Sequence, residues 1–158
     1  VTDDPTFTGY QAFLTNIVGV PADQMPVDVD PNAVQFSYDF SLNMTYWWLL
    51  AVPSQITSPS IYATAVYSLG ADTLINYAPD IPGSGDPTYW SDLRDSFNIN
   101  NFVGGVINFS SDQSTSQGIA VSDFLKSMTL GDLQNLKTPW GRMYLSIAQN
   151  IGTLWGIS

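Results

Sequence analysis

The sequence predicts a mainly α-helical protein, a bundle of about five helices in one domain spanning residues 1–158. Three observations carry that reading. A short polar side chain stands directly before proline at Asp4-Pro5, Asp30-Pro31, Ser58-Pro59, Asp86-Pro87 and Thr138-Pro139. Such a side chain accepts a bond from an orphan N–H, and proline at the first helical position has no N–H to leave unsatisfied. Apolar residues then recur at helical spacing after four of these five sites. Finally, 158 residues with 44% hydrophobic and 13% aromatic content suit a single packed core.

Taken in order, the first helix follows Asp4, with Phe7, Tyr10, Phe13, Leu14, Ile17 and Val18 on its apolar side and Gly19 and Pro21 closing it. The segment after Pro31 breaks the pattern. Val34, Phe36, Tyr38, Phe40, Leu42 and Met44 alternate with polar residues, which is a strand signature. As a helix, the same residues would fall on two opposite faces, an arrangement that suits only a helix covered on both sides. The Asp-Pro start and the following YWWLLAV favour the helix, so a strand or hairpin near residues 33–45 and a buried helix both stand as readings. After Ser58, the run from Ile61 and Tyr62 through Leu74 to Tyr77 is helical and stops at Pro79. Residues 78–87 form a loop within the domain, and the helix after Asp86 carries Tyr89, Trp90, Leu93 and Phe97.

Gly104-Gly105 lies in an extended or buried connector, and the polar run at 110–118 reads as an exposed loop. Two short helices are expected at 123–128 and 130–137, with Thr129 and Asp132 spaced as a cap pair. The last helix follows Thr138-Pro139, with Trp140, Tyr144, Ile147, Ile151, Leu154 and Trp155 along one side and Gly156 beyond it. No internal repeat breaks the chain.

The ionisable inventory narrows function. Fourteen aspartates and no glutamate stand against Arg94, Lys126, Lys137 and Arg142, a net charge of −10. Nucleic-acid binding needs cations to neutralise phosphates, so sequence-specific nucleic-acid recognition is not expected. Without histidine there is no serine triad, and Lys126 has Asp123 where a Ser-Lys pair needs serine. Without cysteine there is no disulfide or usual zinc site. Asp92 and Asp95 share a helix face, which reads as a solvated acidic face rather than an acid–base pair. Asp28, Asp30, Asn32 and Asp39 fall at calcium-loop spacing, but Ala33 replaces the required glycine and Pro31 intrudes. The GSG at 83–85 reads as a turn. No enzyme activity, cofactor or metal is expected. No apolar run reaches the ~20 residues of a membrane span, and no secretory signal is expected at the acidic, polar first residues. The start at Val1 fits either removal of an initiator methionine or a longer precursor.

Residues 65–80 (AVYSLGADTLINYAPD), the terminal stretch 132–158 (DLQNLKTPWGRMYLSIAQNIGTLWGIS) and the polar loop between them resemble small virion proteins of tailed bacteriophages. The likeness covers about the last hundred residues. Such proteins are placed in the neck, as head-to-tail adaptor or connector rings beneath the portal. The resemblance implies a mainly helical structural subunit, a homo-oligomeric ring, portal and tail proteins as partners, and a location in the virion after assembly in the host bacterial cytoplasm. An alternating segment at 34–44 departs from an all-helical adaptor. A tail terminator, a capsid-associated virion protein, or a secreted carbohydrate- or calcium-binding module are the alternatives. An acidic or neutral lumen suits DNA passage, because a basic one would hold the phosphates. The candidate subunit interface is Trp140, Arg142, Tyr144 and Trp155, since Trp, Tyr and Arg dominate interface hot spots. The same aromatics would equally complete the subunit's own core.

Overall fold

The computed structural model describes residues 4–25, 32–51, 59–100, 106–111, 116–120 and 137–151. Among them are five α-helices: α1 (Phe7–Phe13), α2 (Ala33–Ala51), α3 (Pro59–Tyr77), α4 (Tyr89–Ser96) and α5 (Pro139–Ile151). A two-stranded antiparallel hairpin joins β1 (Val106–Ser111) to β2 (Ser116–Ala120), with a bulge between Ile107 and Phe109. The protein is therefore mainly helical. Its strands lie in the Gly-Gly connector and in both ends of the polar run that reads as a loop, and not at residues 33–45. The helices expected at 123–128 and 130–137 lie outside the described residues except for Lys137, which is not in a helix.

The polar-Pro sites split into two kinds. After Ser58 and Thr138 the helix begins at the proline itself, whereas after Asp4, Asp30 and Asp86 it begins two residues later. In those three, Thr6, Asn32 or Thr88 follows the proline directly. Thr6 Oγ1 accepts from Gly9 N at 3.0 Å and Asn32 Oδ1 from Gln35 N at 2.6 Å. At Thr6 and Asn32 a capping side chain after the proline takes the cap position, whereas Thr88 makes no side-chain cap bond and its N–H donates to Asp86 Oδ1 at 3.3 Å.

Helix α3 is the centre of the fold. From Tyr62 to Ile75 nearly every residue is buried, including Ser68, Asp72 and Thr73. A helix buried all round must be covered on several sides. Helices α2 and α5 each pack extensively on it, with no comparable contact between α2 and α5 among the described residues.

The alternation at 34–44 resolves as helix α2. At 100° per residue, Val34, Tyr38 and Leu42 form one i, i+4 row on the core side, and Phe36, Phe40 and Met44 form another on the far side. The core side also takes Ser37, Ser41 and Thr45, all fully buried. Their hydroxyls donate to the carbonyls of Val34, Tyr38 and Ser41 at 2.9, 2.9 and 2.7 Å. Small side chains satisfied by their own helix permit close packing on α3 without an unpaired polar group. A period-two apolar pattern thus hides small polar residues that belong inside.

Helix α1 crosses this pair through aromatic contacts. Tyr10 is fully buried, its ring centroid 5.6 Å from that of Tyr38 and 5.9 Å from that of Tyr67. Its hydroxyl lies 2.8 Å from Ser37 Oγ. Gly70 on α3 makes room for that ring: a Cβ there would lie 2.9 Å from Tyr10 Cε2. Gly70→Val is expected to cost about 2–3 kcal/mol, because the pinned ring cannot retreat from added bulk; urea denaturation measures it. Beyond α1 the chain winds as a π-helix over Leu14–Val18, ending at Gly19 in the left-handed region. The wider turn carries Ile17 out of the core, so it is 65% exposed although helical spacing places it on the apolar side.

Helix α4 is fastened to the end of α3 by charged groups. Asp80 accepts from Ser91 N at 2.9 Å and Ser91 Oγ at 2.6 Å, bonds that hold its carboxyl below the usual range. Arg94 donates to Ala78 O at 2.6 Å and Ile75 O at 3.3 Å, serving the carbonyls at the C-terminal end of α3. At the other end of α4, Asn98 takes φ 57°. Asn98 N bonds to Asp95 O and Ile99 N to Arg94 O, the two bonds of a Schellman cap.

Candidate interaction surfaces

Helix α5 is amphipathic because its sequence separates the two kinds of residue. Thr138 caps it, accepting from Gly141 N at 2.9 Å. Leu145 is buried, while Trp140, Tyr144, Ile147 and Ala148 are half-buried against the core. Trp140 meets Phe97 edge-on at 5.9 Å. The opposite side exposes Arg142, Met143, Ser146, Gln149 and Asn150. Of the expected interface residues, Trp140 and Tyr144 therefore pack on the chain's own core, and Arg142 lies on the outer side. Trp155 lies outside the described residues.

Beneath the start of α5 sits Asp72, a residue the sequence offers no reason to select. It is 2% exposed, and Thr138 Oγ1 donates to its Oδ1. One hydroxyl thus caps α5 and ties it to α3. Burial pushes the Asp72 carboxyl up to about 7, against the opposing effect of the Thr138 bond.

The outer face of α2 leaves a row of apolar side chains open among the described residues. Phe36, Phe40 and Met44 are 56%, 41% and 51% exposed, and the two phenyl rings stack at 6.3 Å. With Asn32, Gln35, Asp39 and Asn43 they line a shallow groove of about 380 Å³. Gln35 Nε2 donates to Asp39 Oδ1 at 2.9 Å, which holds the carboxylate along the rim. Sequence reasoning did not select this row, although the alternation at 34–44 contains it: the helical reading expected cover on both sides, and among the described residues only the Val34, Tyr38 and Leu42 side is covered, so the other half of the pattern faces out.

The remaining candidates do not converge on chemistry. Asp92 and Asp95 are both exposed, and Asp92 Oδ2 accepts from Thr88 Oγ1 at 2.9 Å. The calcium-like spacing is broken up by α2. Asn32 is used as its cap, and Asp39, seven residues on, stands about 10 Å further along the axis. Asp28 and Asp30 lie outside the described residues. Gly83 adopts φ 95° in a turn, and the loop around it is held by Asp23 and Gln24: Gly85 N donates to Asp23 Oδ2, and Gln24 Nε2 to Asp86 O, each at 2.8 Å. Among the described residues no group of three or more acidic side chains is placed to hold a metal ion, and no helix is long and apolar enough to cross a membrane.

Comparison with protein-family models, curated proteins and solved structures finds no match to this chain.

Proposed function

We propose that this chain is a non-enzymatic structural subunit of a bacteriophage virion, forming an adaptor or connector ring between portal and tail. The observation that carries the assembly role is the Phe36–Phe40–Met44 row, held open to water on a helix that buries Val34, Ser37, Tyr38, Ser41 and Thr45 on its other side. A contiguous exposed apolar row on a rigid element marks a protein-docking surface, and aromatic anchors are where interface energy concentrates. The placement in a phage neck rests on the resemblance of residues 65–80 and 132–158, with the mainly helical fold in agreement. A net charge of −10 suits a ring that lets DNA pass.

The test is binding of the purified protein to portal-bearing phage heads, followed by electron microscopy for a ring at the portal vertex. A ring there is the expected result. Binding to tail tubes or to the capsid shell instead would establish a terminator or a capsid-associated protein. Failure to bind any of the three, combined with calcium-dependent thermal stabilisation, would replace the virion reading with a calcium-binding module.

A further inference from the structure

We infer that the contact between Asp72 and Thr138 is a pH-sensitive latch, which holds α5 on α3 in mild acid and lets α5 open at neutral pH while α1–α4 stay folded. The inference stands apart from the virion reading above. Among the described elements, α5 has one extensive contact, its packing on α3. Along its length Gly141 and Leu145 are buried, while Trp140, Tyr144, Ile147 and Ala148 are half-buried against the core. Its start is held by one hydroxyl with two tasks. Thr138 Oγ1 accepts from Gly141 N at 2.9 Å, which caps the helix, and donates to Asp72 Oδ1, which attaches it. A change at Asp72 therefore reaches the cap and the attachment together.

The two helices that cover α3 differ in what their departure would bring to water. On α2, the buried hydroxyls of Ser37, Ser41 and Thr45 are satisfied by carbonyls of their own helix. On α3, Asp72 bonds across to another element, and Ser68 Oγ, one turn earlier on the same side, is buried without a hydrogen-bond partner. Opening α5 hydrates a carboxyl that burial penalises once it ionises. Helices held by fewer buried contacts open locally at lower cost than the whole fold. Burial, opposed by the Thr138 bond, pushes the Asp72 carboxyl up to about 7. The closed state keeps a proton that the open state releases. Opening therefore rises about tenfold per pH unit above 3.8 and levels off beyond about 7. Charged groups on the packed elements bond elsewhere or face water: Arg94 donates to Ala78 O and Ile75 O, Lys137 to Ile99 O, and Arg142 to Lys137 O. Asp39, Asp92 and Asp95 are exposed, and the hydroxyls of Tyr10 and Tyr38 bond to Ser37 and Pro5.

Hydrogen exchange on the whole protein from pH 5 to 8 tests this, each rate being divided by that of the unfolded chain at the same pH. The amides of α5 are expected to open more readily than those of α3, and with little response to low urea, because a local event exposes little surface. Their opening should rise about 100-fold from pH 5 to pH 7 and then level off. Asp72→Asn is expected to abolish that rise, with circular dichroism verifying the fold. Thr138→Ala, which removes both bonds of the hydroxyl, is expected to raise α5 opening at least about fivefold at pH 5. If α5 and α3 exchange together with the same urea response, α5 does not open by itself and the latch is wrong. A wild-type α5 whose opening is constant from pH 5 to 7, or a rise that persists in Asp72→Asn, overturns it as well. Should Asp72→Asn fail to fold, the pH course of wild-type α5 against α3 still decides.

Discussion

Asp72→Asn is expected to stabilise the protein above pH 7 by on the order of 4 kcal/mol and to change little near pH 4. The cause is the 2% exposed carboxyl between α3 and the cap of α5, whose native value of about 7 lies far above 3.8. A raised native value means that the folded state holds the proton that the unfolded chain releases. The stabilising contribution is complete below about pH 3.8 and is lost as pH rises towards about 7, at roughly 1.4 kcal/mol per unit. Asparagine keeps an oxygen to accept from Thr138 and has no charge to desolvate, so the slope from this site should vanish. Thermal or urea denaturation from pH 4 to 8 measures it; parallel pH profiles for wild type and variant would show that Asp72 ionises without penalty. Asp80 contributes with the opposite sign. Its lowered value stabilises the fold above the ordinary carboxylate range, and that contribution is lost as pH falls through the native value.

Trp90→Ala is expected to cost about 3–5 kcal/mol, a large share of the 5–15 kcal/mol that holds an ordinary domain together. Trp90 is the largest fully buried side chain among the described residues, 1% exposed, and it anchors α4 in the core with Tyr89 and Leu93 packed partly against it. Neighbouring Tyr89 meets its ring edge-on at 5.0 Å. Asp80 and Arg94 fix the helix so closely to the end of α3 that α4 cannot slide inward to fill the space. The cost therefore includes an uncollapsed cavity as well as lost transfer energy. Urea unfolding should show a lower midpoint with an unchanged slope. A loss below about 1 kcal/mol would mean that the α4 corner is not a cooperative part of the fold.

The candidate interface was legible only in part. Thr138-Pro139 and the spacing of Trp140, Tyr144 and Ile147 identify α5 and its apolar side from sequence, because cap chemistry and helical period are local. They do not identify what that side meets. Phe97, 43 residues earlier in the chain, is the ring that Trp140 contacts, and nothing near either residue signals it. The row on α2 leaves strand and helix both open in sequence for a related reason. Its apolar period of two ignores Ser37, Ser41 and Thr45, which the helix satisfies internally and buries.

Sequence alone determined that this is a mainly helical, acidic protein, that Ser58-Pro59 and Thr138-Pro139 open helices, and that Gly19 closes the first helical stretch, whose last turn is the π-helix. Those features follow from caps, periodicity and charge, which act within a few residues. Tertiary structure decided the rest: that α3 is central, that Asp72 is a buried acid clasped to Thr138, and that Phe36, Phe40 and Met44 are left facing water. Burial depends on which distant segments arrive at a surface. A row of aromatics on one helix has the same local signature whether another helix of its own chain covers it or a neighbouring subunit does.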